Sequence, residues 1–137
     1  MGAPPPEGQE VWCQTSVNGK NVKDGLFIVY NTGGSKMLQG TYRDDVQDGE
    51  WTIWYENGQR ASIDHYNNGV QDGLHTSWYA NGTMSLSGQY HKGKREGVWT
   101  SWDPGGLSSH HQVYKDGQLT SEGPAEGMGG ASKSQSN

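Results

Sequence analysis

Aromatic and polar residues alternate along this chain in a cycle of fixed length. Each cycle opens on an acid–glycine pair, and the pairs are evenly spaced: Asp24-Gly25, Asp48-Gly49, Asp72-Gly73 and Glu96-Gly97. An aromatic-rich run follows: Phe27 and Tyr30; Trp51, Trp54 and Tyr55; Trp78 and Tyr79; Trp99 and Trp102. Next comes a short turn, Gly33-Gly34, Asn57-Gly58, Asn81-Gly82 or Gly105-Gly106. A second run ends at a tyrosine, Tyr42, Tyr66, Tyr90 or Tyr114, and Gly69, Gly93 and Gly117 follow three of these at one constant offset. A fixed period on the order of 20–50 residues marks a stacked array in which each unit mainly touches its neighbours.

Strands explain the cycle better than helices. Glycine recurs too often for a helix, and no helical periodicity appears. Asn57-Gly58 and Asn81-Gly82, flanked by aromatic and Thr-rich runs, predict hairpins with type I′ turns. The connection Asn67–Gly73 predicts an open loop, with Gly69 and Gly73 in conformations a Cβ would forbid. Each unit is then one hairpin, and successive hairpins pair edge to edge. The expected fold is all-β, an elongated single array of stacked antiparallel β-hairpins with about nine strands. Gly49, Gly73 and Gly97 are expected to open the aromatic strand beside a neighbouring ring.

The expected organisation follows the period. Residues 1–9 read as a flexible Pro/Gly lead-in. Residues 10–119 form the repeat domain: a half-unit at 10–23 that caps the open edge, then units 24–47, 48–71, 72–95 and 96–119. Residues 120–137, rich in Gly, Ser and Glu, read as a disordered tail.

Side chains alternate along a strand, so Trp51, Ile53 and Tyr55 share one face and Thr52, Trp54 and Glu56 the other. Rings on both faces of one sheet need coiling, covering loops or a partner. Leu, Ile, Val and Phe make up roughly 13% of the chain, below the roughly 20% typical of folded domains. The net charge is only −5, and the rings recur in register. Thirteen Trp and Tyr residues therefore supply the hydrophobic material.

Gly49-Glu50-Trp51, Trp54-Tyr55-Glu56-Asn57-Gly58 and Tyr66-Asn67-Asn68-Gly69 resemble the MORN repeat in its bacterial variant form. The pattern recurs at Gly73, Trp78-Tyr79-Ala80-Asn81-Gly82 and Tyr90-His91-Lys92-Gly93. It is similar to the YwqK-like group, which is described as antitoxin-like. The first unit departs at Tyr30-Asn31-Thr32-Gly33-Gly34 and at Asp45, and the fourth at Asp103-Pro104-Gly105-Gly106. The resemblance implies an elongated hairpin sheet serving interaction and scaffolding, with membrane or lipid association for some members and no catalytic residues.

Chemistry-bearing motifs are few. Asp44-Asp45-Val46-Gln47-Asp48-Gly49 fails as an EF-hand loop, because Val46 and Tyr55 stand at ligand positions. His110-His111 would point to opposite faces of a strand and make a poor chelate. No HExxH, GxSxG or P-loop is present. No catalytic, metal or cofactor residues are assigned. Cys13 is alone and builds no disulfide framework. The charge is mildly acidic with no basic stripe, so nucleic acid is not an expected partner. No apolar run is long enough to span a membrane. The Pro/Gly opening looks like a linker behind a removed targeting segment, so an exported or envelope form is expected.

What carries function is the aromatic ladder Tyr30, Trp54, Trp78 and Trp102, with Tyr55 and Tyr79 beside it. As core, the ladder leaves a non-catalytic protein-interaction or scaffold module, antitoxin-like in character, with a protein partner or a homodimer. As surface, it makes an envelope module that binds glycan, choline-like or lipid head groups, with peripheral membrane contact. The shortage of aliphatic residues favours core.

Overall fold

The computed structural model describes residues 10–17 and 19–124. The chain forms 12 antiparallel strands in one open sheet and no helix among these residues. In order they are β1 (Glu10–Val17), β2 (Lys20–Tyr30), β3 (Lys36–Arg43), β4 (Val46–Gln47), β5 (Gly49–Trp54), β6 (Arg60–Asn67), β7 (Val70–Gln71), β8 (Gly73–Trp78), β9 (Met84–His91), β10 (Lys94–Trp102), β11 (Ser109–Lys115) and β12 (Gln118–Pro124). The sheet runs β1-β2-β3-β5-β6-β8-β9-β10-β11-β12, with β4 beside β3 and β7 beside β6. Each unit contributes one hairpin, and β1 flanks the first.

The two turns of each unit exchange the roles that sequence reasoning gave them. At Tyr55–Gln59 the Gly58 N–H donates to Tyr55 O at 3.0 Å and the Tyr55 N–H to Gln59 O at 2.8 Å. Only Gly58 of this turn has positive φ, so the loop is longer than a type I′ turn. Positive φ at two successive residues occurs instead at the other connection: Asp44-Asp45, Asn68-Gly69, Lys92-Gly93 and Asp116-Gly117. These tight turns fold the supposed open loop back on its own strand and create the short strands β4 and β7.

The tight turns also stack along the array. The N–H groups of Asp45, Gly69, Gly93 and Gly117 donate to the carbonyls of Lys23, Gln47, Gln71 and Arg95 at 2.7–3.0 Å. The leading acid of each unit caps the same turn. Asp24, Asp48, Asp72 and Glu96 accept the N–H of Asp44, Asn68, Lys92 and Asp116 through a side-chain oxygen. This explains the acid at the head of every unit, a role the sequence did not disclose. Asp45 replaces the usual glycine in the first unit, where its side chain accepts the Lys23 N–H at 2.6 Å.

Most of the core lies in one row of rings. Phe27, Trp51 and Trp99 are buried there, Trp99 only 1% exposed, while Ile28, next to Phe27 on β2, is buried on the opposite face. Each tryptophan lies flat on a glycine of the adjacent strand: Trp51 on Gly40 and Trp99 on Gly88. A Cβ on either glycine would fall inside the ring. The indole N–H groups donate to Thr41 O and Gln89 O, both at 3.0 Å, which satisfies their only polar atom. Gly49, Gly73 and Gly97 do sit at positive φ, but their Cβ positions meet Thr41, His65 and open space, with no aromatic core ring nearby. The close approach to a tryptophan belongs to Gly40 and Gly88.

The boundary expected at 119 moves outward. Residues 120–124 belong to β12, because the backbone of β11 gives them a ladder to join. Residues 1–9 and 125–137 lie outside the described residues. The joints Gly40/Trp51, Asp64/His75 and Gly88/Trp99 share one sequence separation, and continuing it would set Gln112 opposite Gly123. Gln112 instead pairs with Glu122, one residue out of register. A one-residue slip turns every side chain to the other face, so Glu122 and not Gly123 faces the aromatic row.

Gly40→Ala and Gly88→Ala should each cost about 2–3 kcal/mol, because the ring must leave its seat. Gly123→Ala should change stability little, since nothing lies close to the new Cβ. Thermal melts of the three variants check this. Equal losses in all three would contradict the ring-on-glycine joint.

Candidate interaction surface

The aromatic row carries two clusters of ring contacts, one on each side of the β6–β8 joint. Trp12 and Phe27 have centroids 6.2 Å apart, and Phe27 and Trp51 5.9 Å. Tyr42 stands edge-on to Phe27 and Trp51, and Tyr66 edge-on to Trp51. His75 stacks on Trp99 at 5.6 Å, with Tyr90 edge-on to both. Cations close both ends. Lys23 Nζ lies 5.0, 4.9 and 5.1 Å from the centroids of Trp12, Phe27 and Tyr42. The Arg95 guanidinium lies 4.4 Å from Trp99 and 5.3 Å from Tyr114. The same unit position holds Gln47 and Gln71 in the interior. An ammonium or guanidinium over a ring face gains from the ring quadrupole.

One joint departs from the glycine–tryptophan rule. Asp64 takes the glycine position and His75 the tryptophan position. His75 Nδ1 lies 2.5 Å from Asp64 Oδ1, and both side chains are 15% exposed. The Gln71 Nε2–H donates to the same oxygen at 2.8 Å. The smaller imidazole leaves room that the larger aspartate fills. Burial, then the nearby Asp64 carboxylate, then Tyr90 push the Tyr66 phenol above its ordinary pKa. Sequence reasoning missed this pair because its members lie on different strands, and only strand register shows that their two departures from the period face each other.

The ladder residues lie on the opposite face. Tyr30, Trp54, Trp78 and Trp102 are half-buried, and so are Tyr55 and Tyr79. The buried indoles are those of Trp51 and Trp99, which precede Trp54 and Trp102 on the same strands. The Lys36 ammonium lies 6.0 Å from the Trp54 ring, and the Arg60 guanidinium 4.8 Å from Trp78. Each cation comes from the preceding unit. The hydroxyls of Tyr55 and Tyr79 donate to Trp78 O and Trp102 O, both at 2.6 Å. Asn57 and Asn81 donate through Nδ2 to Ala80 O and Pro104 O, at 2.9 and 3.0 Å. These bonds tie the second unit to the third and the third to the fourth. The fourth unit has no following hairpin to bond, and there Asp103 and Gly105 stand in place of Tyr and Asn.

On the same face of β8 and β10, Leu74 is 45% exposed and Val98 57%. By alternation they share that face with Trp78 and Trp102. This places two open aliphatic residues beside the half-covered ladder, and Val113 pairs with Val98 across β11. His65, His91 and His110 each lie near a single carboxylate, as His110 Nε2 does to Glu122 Oε1 at 3.1 Å. Among the described residues no group of three His, Cys, Asp or Glu side chains is placed to hold a metal. No described helix is long and apolar enough to cross a membrane.

Residues 47–68 match the MORN repeat variant. The matched stretch covers the β5–β6 hairpin and its flanking turns. MORN repeats are generally protein- or membrane-binding modules, and the family is generally non-catalytic. No curated protein matches this chain.

Trp99→Ala should cost about 3–5 kcal/mol, the range for losing a buried ring, and Trp78→Ala clearly less. Thermal melts check the order, and a reversed order would place the core on the ladder face. A second expectation concerns pH. Hydrogen bonds from His110 and then Gln112 hold the Glu122 carboxyl below its ordinary pKa. A depressed folded pKa adds stability above the unfolded value, and that stability is lost as pH falls through the folded value. Amide protection in β12 should therefore fall on acidification, and Glu122→Gln should flatten that dependence. An unchanged pH profile in the variant would contradict it.

Proposed function

We propose that this array is a non-catalytic protein-interaction module whose binding surface is the ladder face of β8, β10 and β11. The observation that carries this reading is the unfinished burial of the sheet. Among the described residues, four hydrophobic side chains are buried and nine large ones are exposed. Leu74 and Val98 stand open beside Trp78 and Trp102. At that end of the ladder Met84 takes the unit position that holds Lys36 and Arg60 earlier in the chain. Exposed apolar residues rimmed by polar ones are the usual mark of a partner site. Thr76 and Thr100 stand between these residues on the same strand face, and an open sheet face suits a folded protein better than the concave site a small ligand needs.

The match to the MORN repeat variant supports a binding module in general. The antitoxin-like group is the instance of that class that the repeat pattern resembles, and in that instance the bound protein is a toxin. The envelope reading, in which Trp54 and Trp78 bind choline-like groups or glycans, is weaker. Lys36 and Arg60 already lie over those two rings.

A photo-crosslinking residue in place of Val98 or Leu74 should capture a protein in cells, and the same residue in place of Ser35 should not. Absence of protein adducts at 98 and 74, together with a tryptophan fluorescence change on adding choline or soluble glycan, would overturn the proposal in favour of the envelope reading.

A further inference from the structure

The two outer edges of the sheet are built differently. β12 carries three features that discourage strand addition. Its pairing with β11 shifts register between Val113 and Tyr114, a bulge that leaves Thr120 unpaired. Its Glu122 points onto the aromatic face, beside Gln112 at 3.3 Å. Its last residue is Pro124, which has no N–H. A bulge, an inward charge and an edge proline are the means by which native sheets protect their edges.

β1 has no bulge on its own side and no proline, and its one charge, Glu10, stands at its first residue. From Val11 to Val17 it has no charged residue, no proline and no glycine. The irregularity between β1 and β2 lies on the β2 side, where four steps from Phe27 to Lys23 oppose two from Trp12 to Gln14. The β1 side chains at Trp12, Gln14, Thr15 and Ser16 are exposed, and Trp12, the first ring of the row, is 40% exposed. Among the described residues nothing pairs with its outer edge. An edge strand with a span free of charge, proline and glycine is a template for another strand.

We infer that β1 is the self-association strand of this protein, pairing antiparallel with β1 of a second copy about a two-fold axis. An isologous joint needs a surface that matches itself, and a strand free of charge from Val11 to Val17 meets its own copy over that span without like-charge repulsion. The two aromatic rows then lie on the same side of one continuous sheet, and Trp12 of each copy gains cover at the seam. The joint is closed. It uses up β1, and the protected β12 edges at the far ends stop growth at two copies. The inner joints of the array themselves rest on short ladders, since β3–β5 and β6–β8 each show two cross-strand pairs. The inference concerns the edge of the sheet and stands apart from the partner proposed for the ladder face.

Mass measurement by sedimentation equilibrium on the full chain tests it, from about 10 µM to about 500 µM, where small interfaces associate. The expected result is a twofold rise in mass that stops at two copies. Two charge variants locate the seam: Gln14→Lys with Thr15→Lys, and Gln14→Glu with Thr15→Glu. All four changes are at exposed positions, so circular dichroism should be unchanged. Each variant alone should stay monomeric, and an equal mixture should regain the dimer. A control, Leu119→Lys on β12, should dimerise like the unmodified chain. A chain that stays monomeric, one that grows beyond two copies, or a lysine variant that dimerises alone would each overturn the inference.

Discussion

A tryptophan ring lying on a glycine of the neighbouring strand is the contact on which this sheet depends. A single open layer has no second layer to bury its side chains against. Its rings must therefore find cover within the sheet, and a flat indole over a strand without a Cβ is the closest packing available there. The contact needs a glycine on one strand and an aromatic residue at the matching register of the next. It also needs a turn tight enough to hold the two in place. The acid-capped turns at 44–45, 68–69, 92–93 and 116–117 supply that register by stacking on one another. The period of the chain is thus the repeat of a joint rather than of a surface.

The departures from the period become intelligible in the same terms. Asp64 and His75 break the glycine–tryptophan rule together, and the volume one gives up the other takes. Asp45 stands where later units have glycine, and its side chain bonds back to Lys23. The second and third units bond forward through tyrosine and asparagine, which the first unit, with Asn31 and Gly33, and the fourth, with Asp103 and Gly105, both lack. Lys23 and Arg95 occupy the interior glutamine position only at the two ends of the row, where rings would otherwise face water. The end units differ because they each lack one neighbour.

Much of this was legible in the sequence. The period, the hairpin in each unit, the antiparallel stacking and a flanking half-unit at 10–23 all follow from residue spacing. The turn types were not, because Asn57-Gly58 and Asn68-Gly69 read alike as dipeptides, and only the number of paired residues around them separates a tight turn from a longer one. The buried row was not either. Trp51 and Trp54 are equivalent in composition, and the choice between them depends on which has a glycine opposite, a fact of strand register. β12 was hidden by composition, since Gln118–Pro124 has little to bury and joins the sheet through its backbone. The ladder residues were found as a row, but their half-burial and the cations from preceding units were beyond what spacing can show.

The exchanged joint offers the most direct test of the account. A double-mutant cycle would compare Asp64→Gly, His75→Trp and the two together by chemical denaturation. His75→Trp alone should destabilise, because the larger ring meets Asp64, and Asp64→Gly alone should leave a gap beside the imidazole. Together they rebuild the joint of Trp51 and Trp99, and the double variant should match or exceed the parent. The coupling should be about 1–3 kcal/mol, as for residues in direct contact. A double variant whose loss equals the sum of the single losses would contradict the claim that the ring-on-glycine joint holds the sheet together.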